Sequence, residues 1–184
     1  EEMPDQSGLE DDASADESYP TVYNLDGGEL YPLLKSYSNY LYNGGEAPEL
    51  ILVAISYGTD DWQQGNDRSH DYTAPADERE FWGGAGEFQG FLRDELLPFI
   101  ETNYRSSPDK RIVFGHSLGG QFVLYSAQTE PGLFWGHIAS NPALHRNLPL
   151  FLDMRPETPL SLTHVFVGDA SEDDTRFLEP RTRW

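Results

Sequence analysis

Gly115-His116-Ser117-Leu118-Gly119 fits the pattern G-x-S-x-G, which can lift a serine hydroxyl into position to attack an acyl carbon. The apolar run at residues 112–114 just before it predicts a buried strand, and residues 121–127 just after it have the length and residue types of a helix. Strand, sharp turn and helix in that order are the context such a nucleophile elbow requires. The turn forces strained dihedrals on Ser117, and Gly115 and Gly119 are the small neighbours that let strand and helix pass closely. A Gly-rich strand-to-helix turn with a spectator serine carries the same string, so the flanking elements are what favour the chemical reading.

Nucleophilic serine chemistry needs a hydroxyl, a base for its proton and donors for the oxyanion. Ser117 is the candidate hydroxyl. The Leu118 amide, at a helix N-terminus, is the first expected oxyanion donor, and the Gly28 amide in the loop after Leu25-Asp26-Gly27 is the second. In hydrolases with this elbow the chain order is serine, acid, histidine. Asp169 and Glu172, in the loop after a later apolar run, are the two candidate acids, although that cluster reads equally well as a solvated acidic turn. No histidine follows His164. Of the five histidines, His116 is expected to point into the sheet and His137 to be structural. His164 is expected to begin a strand away from the chemistry, and His70 to sit solvated in a loop. His145 is the best stand-in for the base.

The elements that must carry these residues follow from periodicity. Residues 19–25 predict a strand ending at Asp26-Gly27-Gly28, a turn in which amides could approach a ligand or simply reverse the chain. Residues 31–42 predict a helix, and the continuous apolar run at 50–55 predicts a central parallel strand covered on both faces. Residues 57–85 form a long polar and aromatic stretch of the kind that carries function. A helical pattern over 88–104 is kinked or ended at Leu97-Pro98. Gly136 to Ser140 predicts a short strand, 144–154 a short helix or lid, and 162–167 a last strand. Alternating strands and helices predict an α/β domain with a mainly parallel central sheet and helices on both faces. Residues 1–18 read as an acidic arm or loop and 19–184 as a single domain.

The chain has 184 residues, enough for one domain with a real core, and 38% of them are hydrophobic. Its net charge of -20 disfavours nucleic acid and anionic membranes as partners, since both would be repelled. No stretch has the apolar length of a membrane span. Nor does the N-terminus have the basic start and apolar centre of a signal peptide, so the compartment is left open. With no cysteine, disulfides and thiolate catalysis are excluded, and the histidines lack ligand spacing such as H-x-x-x-H, so no metal or other cofactor is expected.

Five stretches occur in the order found in one family: Leu25-Asp26-Gly27, then Asp67-Arg68-Ser69-His70-Asp71-Tyr72-Thr73, Gly83-Gly84-Ala85, Glu95-Leu96-Leu97-Pro98-Phe99-Ile100-Glu101 and Gly115-His116-Ser117-Leu118-Gly119-Gly120. In these the chain resembles the esterase family of α/β-hydrolases, which includes esterase D, S-formylglutathione hydrolase, feruloyl esterases, siderophore trilactone esterases and mycolyl transferases. The siderophore-esterase branch is the most similar, through Arg-x-x-Asp-Tyr-Thr and the Gly-Gly stretch. The resemblance runs from about residue 19 to about residue 174 and implies an α/β-hydrolase fold with parts of both ends missing from this sequence. Members of that family carry additional strands before the Leu-Asp-Gly strand and a catalytic histidine beyond the acid.

Together these readings point to a serine carboxylic ester hydrolase acting on a small-molecule ester through an acyl-enzyme on Ser117. A non-catalytic homologue that binds a ligand or partner, or an acyltransferase, are the alternatives. Arg68 could pair with a carboxylate or phenolic group of the substrate, or salt-bridge to Asp67 or Asp71. Trp62, Tyr72 and Trp82 could wall an aromatic acyl pocket or serve in packing.

Overall fold

A computed structural model of the chain describes residues 17–59, 61–76, 79–145, 147–154, 163–170 and 174–183. Most of the expected acidic arm, the candidate acid Glu172 and the Trp62 side chain lie outside the described residues.

The apolar runs of the sequence pair side by side as parallel strands: β1 (Tyr19–Asn24), β2 (Ile51–Ala54), β3 (Ser106–His116), β4 (Gly136–Ser140) and β5 (His164–Gly168), in the order β2-β1-β3-β4-β5. Helix α1 (Gly27–Asn43) connects β1 to β2 on one side of β1. The chain then returns through α2 (Arg68–Asp71), α3 (Ala85–Phe91) and α4 (Leu97–Asn103) to lay β3 on the other side of β1. The direction of winding therefore reverses between β1 and β3, and the C-terminal ends of two such strands flank a crevice in open parallel sheets. Asp26 follows the end of β1 and Ser117 the end of β3.

The core is built on β3, β4 and α5 (Leu118–Thr129), in which Phe122, Val123, Leu124 and Ala127 are buried. Tyr23 of β1 meets the edge of Phe134, and Phe88 of α3 meets the edge of Phe122. Burying four such aromatic side chains stabilises the fold by roughly 2–3 kcal/mol each relative to leaving them in water. After β4 come α6 (Leu148–Asp153) and, beyond β5, α7 (Thr175–Arg183).

Three expectations are corrected by tertiary packing. The run at 50–55 becomes β2, the outer strand of the described sheet, with three half-buried residues and an exposed Ala54, while β3 takes the central place. Helix α1 starts at Gly27, four residues before the expected start. A Cβ at Gly27 would lie 2.7–2.8 Å from Ala54, so glycine there lets the helix begin directly against β2. The helical stretch that includes Pro98 does not end at that residue. The turn Leu92–Leu96 widens to π spacing, with the Leu97 amide bonded to the Leu92 carbonyl, and α4 continues from it. Proline has no N–H and its ring crowds the preceding turn, which the wider turn accommodates.

His137 is fully buried in β4, and its Nδ1 lies 2.9 Å from the Thr163 hydroxyl. Burial pushes its pKa down to about 4, and among the described residues Nε2 has no acceptor waiting for a proton. The unfolded chain binds this proton near pH 6.5 and the folded chain only near pH 4, so stability falls as pH drops through that window, by up to roughly 3 kcal/mol. Denaturant unfolding at pH 7 and pH 4.5 should show His137→Gln losing less stability between the two than the parent chain; an unchanged loss refutes the assignment.

Candidate active site

Ser117 sits between β3 and α5 with φ 57° and ψ -112°, a left-handed conformation for a residue other than glycine. Such a backbone costs on the order of 1–3 kcal/mol and persists only where its surroundings hold it. They do so here. The Ser117 amide donates to the Ser140 carbonyl at 3.0 Å, and its own carbonyl accepts from the Gln121 and Ala143 amides at 3.0 Å each. The glycines explain how the chain passes. A Cβ on Gly115 would fall on the Gly119 backbone, and one on Gly120 would lie 3.0 Å from both the Ser140 carbonyl oxygen and Pro142 Cα. This is the strand-turn-helix elbow the sequence predicts.

Across the crevice, Asp26 takes φ 54° and ψ 42° between β1 and α1. The Gly27 amide is spent on the Ile55 carbonyl at 2.8 Å, and the Glu29 and Leu30 amides both reach the Asp26 carbonyl at 3.2 Å. Gly28 is in the first turn of α1 and Leu118 in the first turn of α5, where amides have no acceptor within their own helix. Among the described residues neither of these two amides donates to any group. A cavity of about 490 Å³ opens here, and Ser117, Gly28, Asp26, Arg68 and His116 all line it. Its other walls mix polar residues, including Glu29, Ser56 and Asn66, with Leu30 and Tyr57.

Arg68 departs from expectation. Its Nε and Nη2 grip the two carboxylate oxygens of Asp26 at 2.7 and 2.8 Å, rather than Asp67 or Asp71, and its guanidinium lies over the Tyr72 ring at 5.8 Å. Burial alone would weaken its charge, but the Asp26 carboxylate more than offsets this and holds its pKa above the ordinary arginine value. Asp71 is occupied on both oxygens, by the Tyr57 hydroxyl at 2.7 Å and by His70 Nδ1 at 2.8 Å. Tyr72 is fully buried in the core and does not line the cavity. Its hydroxyl pKa is raised, first by burial and then by the nearby Asp26. Trp82 does not line the cavity either and lies near the Arg79 guanidinium. Asp26 is the site residue that sequence reasoning passed over, because its partner is 42 positions away and only the fold brings them together.

The histidines divide. His116 is exposed and lines the cavity, with Nδ1 3.3 Å from the Ser140 hydroxyl, so the expectation that it packs into the sheet is corrected. The left-handed bend begins only at Ser117, so position 116 still has the outward pitch of the strand end. His70 stays half-exposed outside the cavity wall, and His164 begins β5 with its ring tilted against Trp135, centroids 4.4 Å apart. His145 meets the edge of the Phe177 ring from α7. Asp169, just past β5, forms an ion pair at 2.7 Å with Arg181 of α7, whose side chain is almost completely buried. No cluster of three or more potential metal ligands occurs among the described residues.

The described five-stranded parallel sheet, with a strained serine at a strand-turn-helix elbow beside its winding reversal, has the α/β-hydrolase fold. The chain belongs to the family described as "Putative esterase", which it matches over residues 3–178. It is similar to the ferri-bacillibactin esterase BesA of Bacillus subtilis (strain 168), at 32% identity over 151 residues covering 73% of this chain and 51% of BesA. It is also similar to a siderophore enterobactin esterase of Emericella nidulans, at 31% identity covering 74% of this chain and 50% of that protein. The chain thus spans about half the length of these curated relatives. Among solved structures, the BES protein from Bacillus cereus superposes with a TM-score of 0.78 at 25% identity, covering 90% of this chain and 68% of that one. The enterobactin hydrolase IroE in complex with DFP superposes at 0.68 with 26% identity, covering 90% and 69%.

Proposed function

We propose that the chain carries the nucleophilic half-site of a serine carboxylic ester hydrolase acting on a small-molecule ester. The observation that supports it best is that the strained Ser117 lines one cavity with Gly28, whose amide is unspent, while the next amide after Ser117, that of Leu118, is also unspent. In this reading the Ser117 hydroxyl oxygen attacks the ester carbonyl carbon, and the carbonyl oxygen gains negative charge facing the two amides. The carbon–oxygen bond to the alcohol then breaks, the alcohol leaves with the proton taken from Ser117, and water hydrolyses the acyl-serine. Proton transfer requires a base. Among the described residues His116 is the imidazole in the cavity wall, while Asp169 carries its ion pair with Arg181.

The wall mixes apolar surface with hydrogen-bonding side chains that can hold an ester rich in polar groups. Together with the names of the relatives, this makes a siderophore ester the substrate class we assign. Diisopropyl fluorophosphate tests the nucleophile directly. Intact-mass and peptide analysis should find one diisopropylphosphoryl group on Ser117 and none on the Ser117→Ala chain. Labelling elsewhere, or no labelling of a folded chain, overturns the reading and favours a homologue that only binds.

A further inference from the structure

We infer that Arg68 is a positioning residue that keeps the Gly28 amide available by holding the Asp26 carboxylate away from it; this deepens the proposed hydrolase reading and rests on it. Asp26 occupies the N-cap of α1, where an aspartate ordinarily turns its carboxylate onto the amides of the second or third helical residue. In α1 those residues are Gly28 and Glu29. Asp26 makes no such cap. Both of its carboxylate oxygens are instead drawn sideways into the two-pronged bond with Arg68, at 2.7 and 2.8 Å.

Three elements converge on that geometry. Arg68 opens α2 and packs over the buried Tyr72 ring, so the guanidinium plane is fixed before it meets the carboxylate. A Cβ added at Gly119 would make ordinary contact with Asp26 Oδ2 at 3.5 Å, so the carboxylate lies beside the elbow. The Asp26 backbone, at φ 54° and ψ 42°, departs from the extended conformation usual at a capping residue. Without the guanidinium, the carboxylate is drawn by the positive end of α1 and by the unspent Gly28 amide. A carboxylate bonded to the Gly28 amide removes one oxyanion donor and places a negative charge where the reaction develops its own. With two of its nitrogens engaged in this way, Arg68 acts through Asp26 rather than on the substrate.

The test uses p-nitrophenyl acetate, which has no anionic group for an arginine to recognise. Arg68→Gln should lower kcat roughly 100-fold or more, the scale of losing one oxyanion donor, with KM within about threefold of the parent. It should slow labelling by diisopropyl fluorophosphate in parallel. Adding Asp26→Gly, which removes the competing carboxylate and suits the left-handed backbone, should restore kcat to within about tenfold of the parent. Arg68→Lys, a point charge without the planar fork, should fall between. Thermal unfolding on every variant identifies folding loss, and recovery in the double variant reads the proposal even where Arg68→Gln alone folds poorly. A double variant as slow as Arg68→Gln, or an Arg68→Gln defect confined to KM, overturns the inference. Full activity in Ser117→Ala would instead sink the hydrolase reading on which it rests.

Discussion

Ser117→Ala and Ser117→Gly should both abolish ester hydrolysis, but only the glycine variant should gain stability. Removing the hydroxyl removes the acyl-enzyme route, so kcat should drop on the order of 10⁴-fold or more, leaving what the amides and binding supply alone. Alanine keeps a Cβ and with it the steric cost of φ 57°, so Ser117→Ala should unfold within about 0.5 kcal/mol of the parent. Glycine adopts that conformation freely. Ser117→Gly should therefore be more stable by about 1 kcal/mol, less the entropy that glycine adds to the unfolded chain. Denaturant melts of the three chains measure this directly. A glycine variant no more stable than the alanine variant would mean that the bend at position 117 stores no strain.

Gly115→Ala should be the most damaging single-methyl change in the domain. The added Cβ lands on the backbone of Gly119 in the first turn of α5, and neither side can yield cheaply. Strand β3 is held between β1 and β4, and α5 is pressed at Gly120 against the Ser140 carbonyl and Pro142. Overpacking of this kind costs typically about 1–3 kcal/mol, and backbone on both sides places this site at or above the top of that range. Separating β3 from α5 also tilts the Leu118 amide and Ser117 apart, so hydrolysis should be lost along with stability. Gly132→Ala, where an added Cβ meets nothing within 4 Å, is the control and should stay within about 0.5 kcal/mol of the parent. A Gly115→Ala chain as stable as that control would overturn the close-passing elbow.

How far the sequence was legible follows the range of the interactions. The elbow could be read because every part of it is local: an apolar strand, a serine between glycines four positions apart, and a helix, all within residues 112–127. The strands beginning at Tyr19, Gly136 and His164 could be read for the same reason, since burial imprints apolar runs on the chain itself. The apolar run at 50–55 misled because a strand at the rim of the described sheet and one at its centre can carry the same residues; only neighbours decide the place. The direction of His116 could not be read either, since it depends on the residue at which the strand breaks into the bend.

From the order of residues alone came the elbow at Ser117, its two glycines and the parallel α/β class, with Gly28 and Leu118 as the candidate amides. Tertiary structure alone decided that Asp26 and Arg68 close on each other across 42 positions, that Asp169 spends its charge on Arg181, and that Tyr72 belongs to the core. The physical reason is the same in each case. Local propensity and hydrophobic period act over a few residues, whereas a charge takes whichever counter-charge the packed sheet and helices bring within 3 Å.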